Sequence, residues 1–143
     1  MSKELFSLRS SFAVESKKNK MNTTLWFLQA ITAIVFLYSG INKSIFSIRT
    51  LVDVRGQTGV ENLAVPLVRF IGISEILGSI GLILPGWLKI LPFLTPISAI
   101  LFAMIMIPAA IIHFKRREPK NILTNVILFC ICIFIAYGRL VLE

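Results

Sequence analysis

A single carboxylate, Glu75, stands near the middle of an apolar run at 66–84, and no other residue between Arg69 and Lys89 is charged. A carboxylate can pass a proton, anchor a cation or accept several hydrogen bonds, and it departs furthest from its behaviour in water when its surroundings are oily. About 19 helical residues at ~1.5 Å each cover the hydrocarbon core of a bilayer, which puts Glu75 close to the midplane. An ionised group at that depth costs about 2.5–3.5 kcal/mol on insertion scales, so the acid must be protonated, paired or turned to a polar cavity. Gly72, Gly78 and Ser79 flank it at helical spacings of three and four. A neighbouring helix can therefore approach closely on the face that carries the acid. Two uses remain open: a ligand or proton site, or a glutamic acid that bonds across helices as structural glue.

Groups that could work with Glu75 follow from an up-and-down arrangement, in which the end of the first apolar run meets the start of the second. Lys43, Arg69, His113, Asn121 and Asn125 all fall toward that shared end. Glu75 lies two turns deeper than Arg69, about 9 Å along the axis. A long Lys43 or Arg69 side chain can lean toward it, and a charge-assisted hydrogen bond would lower the cost of an ionised acid. Glu75, Lys43, Asn42, His113 and Asn125 are the expected ligand or proton-handling residues. Ser39, Gly40, Gly72, Gly78, Ser79 and Gly81 are expected to pack helices, and Arg69, Tyr137 and Arg139 to anchor at the interfaces. Cys130 and Cys132, two apart, point to nearly opposite helix faces and cannot chelate one metal. No metal site is expected, and the chain lacks a Cys-x-x-Cys.

The elements that would hold these groups are four apolar runs. The chain has 143 residues, 56% of them hydrophobic, with 15 basic residues against 7 acidic and a net charge of +8. That is too apolar for a soluble domain of this size. The basic excess lies mostly outside the apolar runs, where anionic headgroups account for it and no nucleic-acid partner is needed. The reading is an all-α membrane protein, an antiparallel bundle of four helices at about 24–42, 66–84, 88–114 and 121–139. A short interfacial helix falls between the first two. Residues 1–22 read as a basic, flexible polar tail, with Met21 an alternative start; 23–143 form the membrane domain. The second helix is expected to stop before Pro85-Gly86, and Pro108 to kink the third. Polar stripes at Gln29, Thr32, Ser39 and Lys43 and at Asn125, Cys132 and Arg139 should face inward. The first helix orients both termini to the cytoplasm, although the basic residues divide almost evenly.

Several of these motifs together resemble the DoxX-like family. They are Tyr38-Ser39-Gly40-Ile41-Asn42-Lys43, then Glu75-x-x-Gly78-x-x-Gly81-Leu82-x-Leu84-Pro85-Gly86, then His113 before a basic loop, and Ala136-Tyr137-Gly138-Arg139. The resemblance spans about residues 24–140. It implies a small four-helix protein of the bacterial inner membrane. The family takes its name from a membrane subunit linked to thiosulfate:quinone oxidoreductase; other relatives are implicated in oxidative-stress complexes, and distant eukaryotic ones resemble receptor-assembly chaperones. The matched positions are Ser39, Gly40, Lys43, Glu75, Gly78, Gly81, His113 and Arg139. The tail before Met21 departs from the usual short N-terminus.

Two function classes follow. In one, a small intramembrane pocket around Glu75 takes a quinone or lipid, and the protein is a non-catalytic accessory to a quinone-linked redox complex. It would have no intrinsic cofactor, and a partner would supply electrons. In the other, the protein helps other membrane proteins assemble, with Glu75 structural. Partners are the bilayer and other membrane proteins, with homo-oligomerisation left open.

Overall fold

The computed structural model describes residues 2–142 and, among them, places every regular element in a helix. Four helices are long and apolar enough to cross a membrane: α1 (Ser2–Ile45), α3 (Val65–Leu88), α4 (Leu94–Lys115) and α5 (Pro119–Leu142). The short α2 (Ile48–Asp53) and a single 3-10 turn (Thr58–Val60) lie in the connection between α1 and α3. The chain is thus a multi-pass integral membrane protein.

Each long helix buries one stripe and leaves the remainder of its apolar surface outward. On α3 the buried positions are Val68, Gly72, Glu75, Ser79, Leu82 and Pro85, spaced four, three, four, three and three. That is the period of a helix lying against its neighbours. Large apolar side chains between them face out, including Phe70, Ile73 and Leu77. In water so much exposed oil would drive aggregation; in lipid it is solvated. On α1 the stripe is Leu25, Gln29, Thr32 and Phe36. The centre is formed by Phe36 stacked on Phe102 at 3.8 Å between ring centroids, with Leu82, Ala99, Cys132 and Ile135 around them.

Helix α1 packs chiefly on α3, and α4 on α5, so the bundle is two hairpin-like pairs. The α1–α3 approach is set by Gly40 and Gly72. A Cβ on Gly40 would lie 2.6 Å from the Gly72 carbonyl oxygen, and one on Gly72 would lie 2.9 Å from the Gly40 carbonyl oxygen. Only hydrogen fits at either place, and the two backbones touch. Gly78 gives the same clearance to the Phe102 ring, and Gly81 to Ser98. Ser79 has a different job: its hydroxyl donates to the Glu75 carbonyl at 2.7 Å within α3.

Two expectations are corrected. Residues 2–22, expected as a polar tail separate from the first membrane helix, are helical and continuous with it: α1 runs unbroken from Ser2, with its first turns exposed. The reason is local: the sequence holds neither proline nor glycine before Gly40, so nothing interrupts the backbone ladder. Likewise α3 does not stop at Pro85. It carries Pro85 and Gly86 inside and ends at Leu88, capped by Lys89 in the left-handed region (φ 55°). Proline forfeits one bond, to the Gly81 carbonyl, and in a bilayer the cheaper course is to continue the helix and satisfy the gap from a neighbour. The Gln29 side chain donates to the next carbonyl, that of Leu82, and so fastens α1 to this part of α3. The turn between α3 and α4 accordingly falls at residues 89–93.

Gly72→Ala should destabilise the bundle by about 1–3 kcal/mol through overpacking. Leu77→Ala, at an outward position, should do so far less. Thermal unfolding of both variants in the same detergent tests the pair, and equal losses would refute the close-approach account.

Candidate functional site

The glycine crossing delivers the last turn of α1 against the middle of α3. Lys43 Nζ donates to Glu75 Oε1 at 2.6 Å and to Ser39 Oγ at 2.8 Å. The Glu75 side chain is 2% exposed and that of Lys43 13%, so the ion pair is nearly dry. Lys43 also lies where the α1 macrodipole favours a cation. Arg69, expected at the headgroups, is half-buried, and its Nη1 donates to the Lys43 carbonyl at 2.6 Å. That carbonyl belongs to the final turn of α1, where backbone acceptors lack helical partners. The second carboxylate oxygen of Glu75, Oε2, is buried and has no hydrogen-bond partner among the described residues.

Beside the pair lies a cavity of about 450 Å³ between the two helix pairs. All four long helices line it: α1 through Val35, Phe36, Ser39 and Lys43, α3 through Leu67, Ile71 and Glu75, α4 from Ile105 to His113, and α5 from Asn121 to Leu128. The wall is mostly apolar and is about two turns deep. Four of the five expected residues meet on it: Glu75, Lys43, His113 and Asn125. Asn42 does not. It is buried, but successive helical residues turn by about 100°, and Lys43 takes the cavity side. Ser39, expected to pack helices, is on the wall with Lys43.

One end of the cavity is lined by the connection after α1. Gly56, Gln57, Gly59, Val60 and Leu63 line it there, and Leu51, Val60 and Val68 form a small second core that seats the segment. Ser47 caps α2, accepting from the Thr50 amide at 3.2 Å. This lid is tied to the α4–α5 loop by a carboxylate the sequence reading passed over. Glu118 accepts from Thr58 Oγ1 at 2.7 Å, Arg116 Nε at 2.9 Å and Asn121 Nδ2 at 2.9 Å, and pairs with His113 Nδ1 at 2.6 Å. Arg116 reaches on to Glu61 at 2.5 Å. The hydrogen bonds from Thr58, Asn121 and Arg116 hold the Glu118 carboxyl well below its usual range, and Glu118 and Glu61 raise Arg116 in return. A signal was present: Glu118 is the lone acid in a basic loop and sits just before Pro119, which opens α5.

At the opposite end, Arg139, expected as an interfacial anchor, is directed into the bundle. It is 5% exposed, donates to Gln29 Oε1 at 2.7 Å and Asn22 Oδ1 at 2.9 Å, and lies 4.9 Å over the Trp26 ring. Because the inward stripe of α5 runs through Asn125, Cys132 and Ile135, its continuation carries Arg139 inward too. Tyr137, off the stripe, is exposed.

A model of the DoxX-like family matches residues 27–135. No curated protein and no solved structure matches the chain. The matched span holds Lys43, Glu75, His113 and Asn125, while Arg139 and the first turns of α1 fall outside it.

Because Glu118 titrates below its ordinary value of 4.5, its stabilisation is complete above that value and is lost as pH falls through the lowered folded value. Amide protection of residues 57–63, followed by hydrogen exchange, should therefore drop on acidification. Glu118→Gln should show the low protection already at neutral pH, with little further change in acid. Wild-type protection in the variant would mean that the lid is held by other contacts.

Proposed function

The chain belongs to the DoxX-like family, and from the site just described we propose that it is an accessory subunit of a redox complex in the cytoplasmic membrane. In this reading it holds a small apolar molecule with a polar head, a quinone or a lipid, beside Glu75. The observation that carries the reading is the pairing of an apolar cavity of about 450 Å³ with a nearly dry Lys43–Glu75 ion pair at its wall. Volumes of roughly 300–1,000 Å³ with few convergent polar groups are typical of small-molecule sites. A buried acid and a base in contact can hand over a proton when a bound quinone changes redox state. Its own residues provide position and protons, and electrons come from a partner subunit, so the chain is not catalytic alone.

The alternative reading, an assembly partner whose small-residue faces dock other membrane helices, draws less support from the packing. Gly40 and Gly72 are consumed against each other, Gly78 against Phe102 and Gly81 against Ser98, all within one chain. Glu75 does join two helices, through Lys43, but in doing so it borders a void that a purely structural pair has no need of.

Purification in mild detergent, followed by mass spectrometry of the extracted small molecules, tests the proposal. A quinone or a defined lipid should be retained at near-stoichiometric amount. Ala109→Phe, which fills the cavity from α4, should reduce that retention about tenfold or more while helical content is kept. Equal retention by the filled variant would place the bound molecule elsewhere and overturn the reading.

A further inference from the structure

The polar atoms left over at the Lys43–Glu75 pair specify more than an apolar guest. A lysine ammonium has three protons; Lys43 gives one to Ser39 Oγ and one to Glu75 Oε1. Glu75 Oε2 is buried and accepts from nothing among the described residues. A contact of 2.6 Å between ammonium and carboxylate is a charge-assisted hydrogen bond, in which the carboxylate is an acceptor alone. The pair therefore offers one donor and one acceptor, both on residues that line the cavity.

A buried acceptor on a charged group is costly to leave unmade, more so than a neutral one. A carbonyl or ether head can take the lysine proton but can give nothing to Oε2. A hydroxyl does both, accepting from Nζ and donating to Oε2. We propose that the cavity selects an apolar molecule whose head is a hydroxyl, a quinol-type phenol or a lipid alcohol, over the matching carbonyl or ether. This rests on the cavity reading above and narrows it: of a quinone couple, the reduced member is the form held. No group is transferred in this step; the hydroxyl proton is shared with Oε2 and stays on the ligand.

Probes that differ only in the donor decide the matter. 4-Nonylphenol and its methyl ether, 4-nonylanisole, are titrated calorimetrically into the full chain in lipid nanodiscs, with empty nanodiscs as the blank. The phenol should bind about tenfold or more tightly than the ether, the least expected for one hydrogen bond to a charged acceptor. Binding of neither probe would sink the cavity reading itself. Equal binding, or tighter binding of the ether, would leave a cavity but overturn the hydroxyl assignment. Glu75→Gln sharpens the test: its amide oxygen can serve Lys43, which puts an N–H where Oε2 stood, so the preference for phenol should vanish or invert. Should that variant fail to fold, the wild-type pair of probes still decides. 1-Dodecanol and its methyl ether form the second arm. Discrimination confined to the aromatic pair assigns a phenolic head, and discrimination in both assigns a lipid alcohol.

Discussion

A lysine and a glutamate facing each other inside hydrocarbon are an expensive arrangement, and most of this structure can be understood as what makes it tolerable. Removing two charges from water costs several kcal/mol per ion, recovered only when geometry is good and the remaining protons and lone pairs find partners. Here the short contact depends on Gly40 and Gly72 letting two backbones touch. Ser39, one turn below Lys43, takes a second proton, and Arg69 steadies the carbonyl of the residue that bears the ammonium. What is left unsatisfied in the pair is Glu75 Oε2, on a residue that lines the void.

The void itself follows from how the helices are paired. Side chains interlock closely within α1–α3 and within α4–α5, and less so between the pairs. Below, the stacked rings of Phe36 and Phe102 fill the gap; above them, toward the α1–α3 connection, smaller or shorter groups leave it open. The connection is built as a folded piece, with its own small core, and its hydrogen bonds cross to the opposite pair through Glu118 and Arg116. Both walls of the cavity are thus joined at its mouth by groups that are polar and reach water.

Much of this was legible in the residues. Four apolar runs, one lone acid and small neighbours at three and four are local patterns, and each helix reports its inward face by periodicity. The stripe Gln29, Thr32, Phe36 on α1 and the stripe through Asn125 and Cys132 on α5 are both buried. The closeness of Lys43 to Glu75 could be suggested from depth alone. Depth could not decide Arg69 or Arg139, because whether a long cationic side chain snorkels or turns inward depends on an acceptor supplied by another helix. For Arg69 that acceptor is the Lys43 carbonyl, and for Arg139 it is Gln29. Glu118 was overlooked for a related reason: its partners Thr58 and Arg116 belong to two different loops. Pro85 misled because proline rules learned in water assume that a broken helix can find solvent, and lipid offers none.

One consequence of α1 reaches beyond the site. Forty-four residues in one helix amount to about 66 Å of rod, of which roughly the first two fifths is exposed ahead of the packed bundle. Its final turn bears Lys43. One unbroken backbone ladder therefore joins the exposed turns of the arm to the turn that bears Lys43, with the packed stripe from Leu25 to Phe36 between them.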